Sequence, residues 1–148
     1  MKPTKTWKEK LHTANDLPKV AVMDPDKAKR FGGDTMAIPA PIEVDEIMRK
    51  VPFGQTITIA DIRAAVAEKH HADVACPFTC GIFAWISAHA AEEAKEGGDM
   101  DITPFWRTLK SDGSLNPKYP GGIEQQRELL EAEGHKVLEK GKRWVVAK

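Results

Sequence analysis

Two histidines and two cysteines fall within eleven residues: His70, His71, Cys76 and Cys80. Side chains of these types supply activated nucleophiles and zinc ligands. Cys76 stands directly before Pro77, at the expected start of a helix, where the macrodipole lowers a thiol's pKa and raises its reactivity. It is the candidate reactive thiol. The spacing matches no closed zinc motif, so no metal site and no cofactor is expected, and cysteines at i and i+4 on an apolar stripe equally suit a helix core. His89 and His135 stand alone, one on a mostly apolar helix face and one beside a helix end, and structural roles account for both. A second grouping is basic: Lys136, Lys140, Lys142, Arg143 and Lys148 crowd the C-terminal fourteen residues. That pattern suits a wing touching phosphates, and equally a solvated edge protected against aggregation.

The elements that must position these residues follow from periodicity and caps. Residues 1–40 hold Pro3, Pro18, Pro25, Pro39 and Gly32-Gly33 without a sustained period, and read as a basic, poorly packed N-terminal arm with one short helix at Thr6–Ala14. Behind Pro41, the residues Val44, Ile47, Met48 and Val51 recur at helical spacing. Thr58 followed by Asp61 has the form of a capping box, opening a helix through about Lys69 with Ile62, Ala65 and Val66 buried. A third helix is expected from Cys76-Pro77 to about Lys95, with Phe78, Ile82, Trp85, Ile86 and His89 as its inward stripe. Phe105–Leu109 reads as extended and Ser111-Asp112-Gly113 as a turn. A helix over Gly122–Glu133 buries Leu129 and Leu130 and stops at Gly134, and Val137-Leu138 pairs with Trp144–Val146 as a hairpin. The fold class is therefore mainly α with a small β-hairpin: helix-turn-helix with a wing.

Composition sets limits on function. The chain has 148 residues, 41% of them hydrophobic and 30% charged, enough for one domain with a real core. Its 22 basic and 22 acidic residues cancel, which argues against a strongly basic nucleic-acid binder taken as a whole. The charge is segregated, however: residues 1–37 carry a net +3, 38–134 a net −7 and 135–148 a net +4. The longest apolar run, Gly81–Ala91, is about half a membrane span, and MKPTKTWKEK lacks the apolar core of a secretory leader. A cytoplasmic protein with reduced thiols and no membrane partner is expected.

The runs VPFGQTITIADI (51–62) and SDGSLNPKYPGGIEQQRELLEAEGH (111–135) resemble the C-terminal domain of the methylguanine-DNA methyltransferases and the related alkyltransferase-like proteins. The match spans residues 42–135, and its most specific part is 111–135. It implies a winged helix-turn-helix domain over 41–148 and a role in DNA repair. In that family a cysteine thiolate, activated through a histidine by a glutamate, takes the alkyl group from a flipped guanine. The family's Pro-Cys-His-Arg reads Pro104-Phe105-Trp106-Arg107 here, so nucleophile and base are both replaced, while Glu133 matches the glutamate. On this alignment alkyl transfer by the family mechanism is excluded, which favours a chain that is not an enzyme without deciding it. Ile59 stands in place of the base-rotating tyrosine, and Asp73 falls near the arginine finger.

What the resemblance leaves is non-catalytic recognition of double-stranded DNA or alkylated nucleobases. Its implied pocket would be lined by Phe105, Trp106, Arg107, Tyr119, Gly121 and Glu133, where a carboxylate beside aromatic faces suits a planar hydrogen-bonding ring. The alternative within that site is that Phe105 and Trp106 simply fill the vacated cavity. The phosphate contacts would come from Lys136, Lys140, Lys142 and Arg143. The alternative function is a diverged domain without a DNA role, using the Cys76 thiol or the aromatic pocket for a small ligand.

Overall fold

The longest helix organises the chain. In the computed structural model, which describes residues 6–147, α5 (Pro77–Glu96) runs through the middle of the molecule. Three further helices pack on it: α1 (Trp7–His12), α3 (Pro41–Arg49) and α4 (Ile59–Lys69). Their core side chains are Val44 and Met48 from α3 and Ile62 and Val66 from α4, closed from the other end by Phe105 and Tyr119. No helix among the described residues is long and apolar enough to cross a membrane.

The face that α5 turns inward is not the expected one. Cys80, Ala84, Ser87, Ala88 and Ala91 are buried, whereas Phe78 is 61% and Ile82 51% exposed. Trp85, Ile86 and His89 are partly buried. Both sets recur at helical spacing, so periodicity alone could not rank them. Close approach of several helices to one axis decides it, because only small side chains leave room for their neighbours' large ones.

Local rules set the ends of the elements. Thr58 Oγ1 accepts from the Asp61 amide at 3.2 Å and the Asp61 carboxylate accepts from the Thr58 amide at 2.9 Å, the capping box read from the sequence. The buried Glu43 carboxylate accepts from the Ala40 amide at the start of α3. It also pairs with Lys69 (2.7 Å) and His70 (2.8 Å) at the end of α4, so one side chain ties the two helices together. Inside the core, Asp45 takes hydrogen bonds from Ser87 (2.5 Å) and Thr103 (2.6 Å), joining α3, α5 and the loop after it.

The segment expected as a poorly packed arm is instead largely structured, its first five residues lying outside the described ones. Strand β1 (Lys19–Val22), the exposed helix α2 (Pro25–Phe31) and strand β2 (Thr35–Ile38) precede α3. With β4 (Val74–Ala75) the strands form a sheet of order β1-β2-β4, antiparallel between β1 and β2 (Lys19 opposite Ile38) and parallel between β2 and β4 (Met36 opposite Val74). These strands are too short to announce themselves, and they form because a distant partner supplies their hydrogen bonds. Asp73 belongs to the same junction: its carboxylate accepts from the amides of Asp34 (2.9 Å) and Thr35 (3.2 Å). Helix α1 has only six residues, too few to persist alone. Glu93 of α5 holds its first turn, accepting from the amides of Trp7 and Lys8, while Trp7 stacks on His89 at 4.5 Å.

The C-terminal third completes the domain. A 3-10 turn at Phe105–Arg107 leads into β5 (Thr108–Leu109), so only the end of the expected extended piece is a strand. Strand β5 pairs in parallel with β3 (Ile57–Thr58). Helix α6 (Gly122–Ala132) buries Leu130 and Gln126, and β6 (Val137–Lys140) and β7 (Arg143–Val146) form the expected hairpin, Val137 opposite Val146. The buried face of α5 yields a clear expectation. Ala84→Leu, which overpacks the core, should cost about 1–3 kcal/mol in urea unfolding. Ile82→Ser on the outward face should cost no more than about 0.5 kcal/mol.

Candidate nucleic-acid interface

Glu133 closes α6 and collects the residues that the sequence placed around a pocket. Its carboxylate accepts from Trp106 Nε1 at 2.7 Å, from Arg107 Nε at 2.9 Å and from the Gly54 amide at 3.0 Å. Arg107 adds an Nη2 contact at 2.8 Å and donates through Nη1 to the Val51 carbonyl at 2.7 Å. Phe105 packs edge-on against both Trp106 and Tyr119, with ring centroids 5.4 and 5.7 Å away. Gly121 takes φ +77° at the start of α6, where a Cβ would run into Gln125. The structure therefore does bring the six pocket candidates to one end of the molecule.

It brings them together as packing. Phe105 and Tyr119 are buried, and the Glu133 side chain is only 4% exposed. Each of its oxygens already accepts from two donors, which leaves no edge for an incoming ring. Burial works against its charge, but the Arg107 hydrogen bond, the Gly54 amide and Trp106 outweigh that and hold the carboxyl below its ordinary value. A small cavity of about 160 Å³ remains beside Phe105, Trp106 and Leu129. Gln126, which the sequence did not single out, braces the same region. It accepts from the Asn116 amide at 2.8 Å and donates to the Trp106 carbonyl at 3.1 Å.

The cysteines and histidines do not converge. Cys76 is buried at the N-cap of α5 with its amide bonded to the Ala37 carbonyl, and burial pushes the Cys80 thiol up to about 12. His70 is engaged by Glu43, and His71 sits at φ +53° on the surface. Among the described residues no group of three or more His, Cys, Asp or Glu is placed to hold a metal ion.

An open groove lies elsewhere, on the outward face of α5. Phe78, Ile82 and Trp85 form one wall, and the segment carrying Lys110, Pro117 and Lys118 forms the other, around a volume of about 950 Å³. Trp85 Nε1 and His89 Nε2 both donate to the Lys118 carbonyl, at 3.1 and 3.2 Å, and fix that wall to the helix. Gly81 lies in the floor, and a Cβ there would meet nothing within 4 Å. Among the described residues no acidic side chain lines the groove, although the surrounding segment is the acidic part of the chain. The same loop reaches the hairpin, since the Leu115 amide donates to the Trp144 carbonyl and Arg143 pairs with Asp112 at 3.0 Å. The Ser114 hydrogen bonds, then Arg143, hold Asp112 well below the usual carboxylate range.

Helix, loop and hairpin thus form a connected set. Of the contact candidates read from the sequence, Lys136, Lys140 and Lys142 are exposed and form no ion pair with described residues, whereas Arg143 is engaged by Asp112; Lys148 lies outside the described residues. Lys110 and Lys118 were not foreseen, because each is a single lysine whose position opposite α5 exists only after folding.

No protein-family model and no curated protein matches the sequence. Solved structures do. Atl1 of S. pombe, an alkyltransferase-like protein, in complex with damaged DNA containing O6-carboxymethylguanine, superimposes with a TM-score of 0.50 at 17% identity, over 72% of this chain and 87% of that one. A second S. pombe ATL structure, also in complex with DNA, gives 0.51 at 18% identity, over 73% and 87%. The O6-methylguanine methyltransferase of Mycobacterium tuberculosis aligns over 63% of this chain and 47% of that one, at 25% identity and a TM-score of 0.41. The chain has the alkyltransferase-like fold, as the runs at 51–62 and 111–135 implied.

Glu133 should matter for stability. Glu133→Ala leaves Arg107 and Trp106 without their acceptor and should cost about 3 kcal/mol in urea unfolding at pH 7. Because the folded carboxyl lies below its ordinary 4.5, its contribution is full above that pH and fades as the pH falls through the folded value. The gap between wild type and variant should therefore narrow on acidification below about pH 4.5, and a constant gap would contradict the clamp.

Proposed function

We propose that this protein binds double-stranded DNA without chemistry on it, with α5 as the recognition helix of a winged helix-turn-helix and β6–β7 as its wing. The observation that carries this reading is the groove on α5: apolar, free of carboxylates among the described residues and edged by Lys110 and Lys118 on an otherwise acidic part of the chain. Apolar side chains set between lysines suit a nucleic-acid groove, where cations neutralise phosphates and apolar groups lie against sugars and bases. The hairpin lysines Lys136, Lys140 and Lys142 extend the positive surface beyond the loop. Two neighbours of the same fold were solved in complex with DNA, one of them with a modified guanine, which supports the same partner here.

Two features support binding without reaction. No thiol stands in the turn Phe105–Arg107, and both cysteines are buried. Glu133, the residue matching the family glutamate, is occupied by Trp106 and Arg107. A DNA-repair role in the cytoplasm fits these features, with modified guanine the natural target to test first.

Fluorescence anisotropy on plain and O6-alkylguanine duplexes at two salt concentrations tests the proposal. Affinity should fall steeply with salt, and be higher for the modified duplex. Replacing Lys110 and Lys118 together by Ala should lower the salt slope by about 2, one for each phosphate that is no longer neutralised. Gly81→Trp, which fills the groove without touching the core, should abolish binding while leaving the unfolding midpoint unchanged. Absent or salt-independent binding would overturn the reading.

A further inference from the structure

Strand β1 is the edge of its sheet, and among the described residues no strand pairs with its outer side. The register decides which backbone groups that edge presents. The Met23 amide donates to the Asp34 carbonyl, and on the far side of β2 the Cys76 amide donates to the Ala37 carbonyl. Ala37 thus turns its backbone toward β4, so its neighbours Met36 and Ile38 turn theirs toward Ala21 and Lys19 of β1. Val20 and Val22 are left with their N–H and C=O groups pointing away from the sheet. Their side chains share one face, two residues apart, and are 45% and 83% exposed. Little within the strand blunts this edge. The register runs without a bulge, no proline interrupts it, and its single charge, Lys19, stands at the first residue beside Asp16.

This edge is complementary to itself. Turned about a two-fold axis at Ala21, a second copy of β1 runs antiparallel to the first and sets its Val22 opposite Val20 and its Val20 opposite Val22. Both pairs join residues whose backbone groups are free, so each pair exchanges N–H···O=C bonds in both directions. The same register gathers the exposed valines of both copies on one face, where β-branched side chains stabilise a ladder. It places Lys19 opposite Met23, so no like charges meet. A slip of two residues either way would set a valine against Pro18, which has no N–H, or against Asp24, whose carboxylate caps α2. We propose that this protein self-associates through β1, two copies joining their three-stranded sheets into one continuous sheet about a two-fold axis. One four-residue strand from each copy is a small contact, below the roughly 1,200 Å² of stable complexes, so the dimer is weak.

Sedimentation equilibrium on the whole protein tests this. The mass should climb from one chain toward two with a Kd of roughly 100 µM, as a contact of this size allows. Val22→Pro deletes an amide that has no partner within the sheet, and should weaken association at least tenfold without moving the unfolding midpoint. Val22→Lys keeps the backbone and should weaken it as much. The register has its own readout. At the two-fold axis the two copies of Ala21 face each other as a pair with Cα atoms about 4.5 Å apart, within reach of a disulfide. Ala21→Cys should therefore cross-link on oxidation with copper phenanthroline, whereas Lys19→Cys, whose two copies lie at opposite ends of the paired strands, should not. Val22→Lys and the cross-linking decide the matter even if Val22→Pro does not fold. A dimer indifferent to both Val22 variants, or cross-linking through Lys19→Cys instead of Ala21→Cys, would overturn the proposal. So would a monomer at every concentration, which would leave the edge to a strand of another protein. No DNA enters these measurements, so their failure leaves the DNA reading standing, and the converse also holds.

Discussion

The structure depends on how closely other elements approach α5. A twenty-residue helix approached closely by α3 and α4 turns small side chains to them, Ala84, Ser87, Ala88 and Ala91, while α1 rests on His89 and Glu93. That choice has a consequence on the opposite side. The large residues Phe78 and Ile82 are left facing outward, beside a partly buried Trp85 that holds the Lys118 carbonyl, and the loop carrying Lys110 and Lys118 leaves a groove over them. Core and candidate interface are therefore two faces of one helix, and the packing requirement of the first creates the second.

At the other end of the molecule the aromatic residues around Glu133 are packed. Phe105 and Trp106 stand where the resemblance places cysteine and histidine, and both pack. Glu133 remains, but its partners are now an indole, a guanidinium and a backbone amide, each supplying a donor to a carboxylate that is nearly sealed from water. A nearly buried carboxylate is tolerable only when its hydrogen bonds are complete, and here they are. The same accounting holds for buried Asp45, which is partnered by Ser87, Thr103 and Arg49.

Electrostatics gains meaning only with position. The formal charge of zero hides an acidic centre between two basic ends. Within that acidic centre the fold segregates charge again: carboxylates gather around a cleft between α1, α3 and α5, while among the described residues the groove beside Lys110 and Lys118 has none. Asp73, which the resemblance places near the arginine finger, is bonded to the amides of Asp34 and Thr35 and serves the sheet.

What the sequence determined by itself was everything set by near neighbours along the chain. The Thr58–Asp61 box, the stop at Gly134 and the hairpin of Val137–Val146 are all legible within a few residues, and the runs at 51–62 and 111–135 were enough to imply the fold. The tertiary structure decided what depends on distant partners. It selected which of two equally periodic faces of α5 is buried, and assembled β1, β2 and β4 from strands of two to four residues. It also brought Lys110 and Lys118 opposite a helix some thirty residues away in sequence. Periodicity reports that a face exists but not what lies against it, because packing is a property of pairs of surfaces and a sequence presents only one of them at a time.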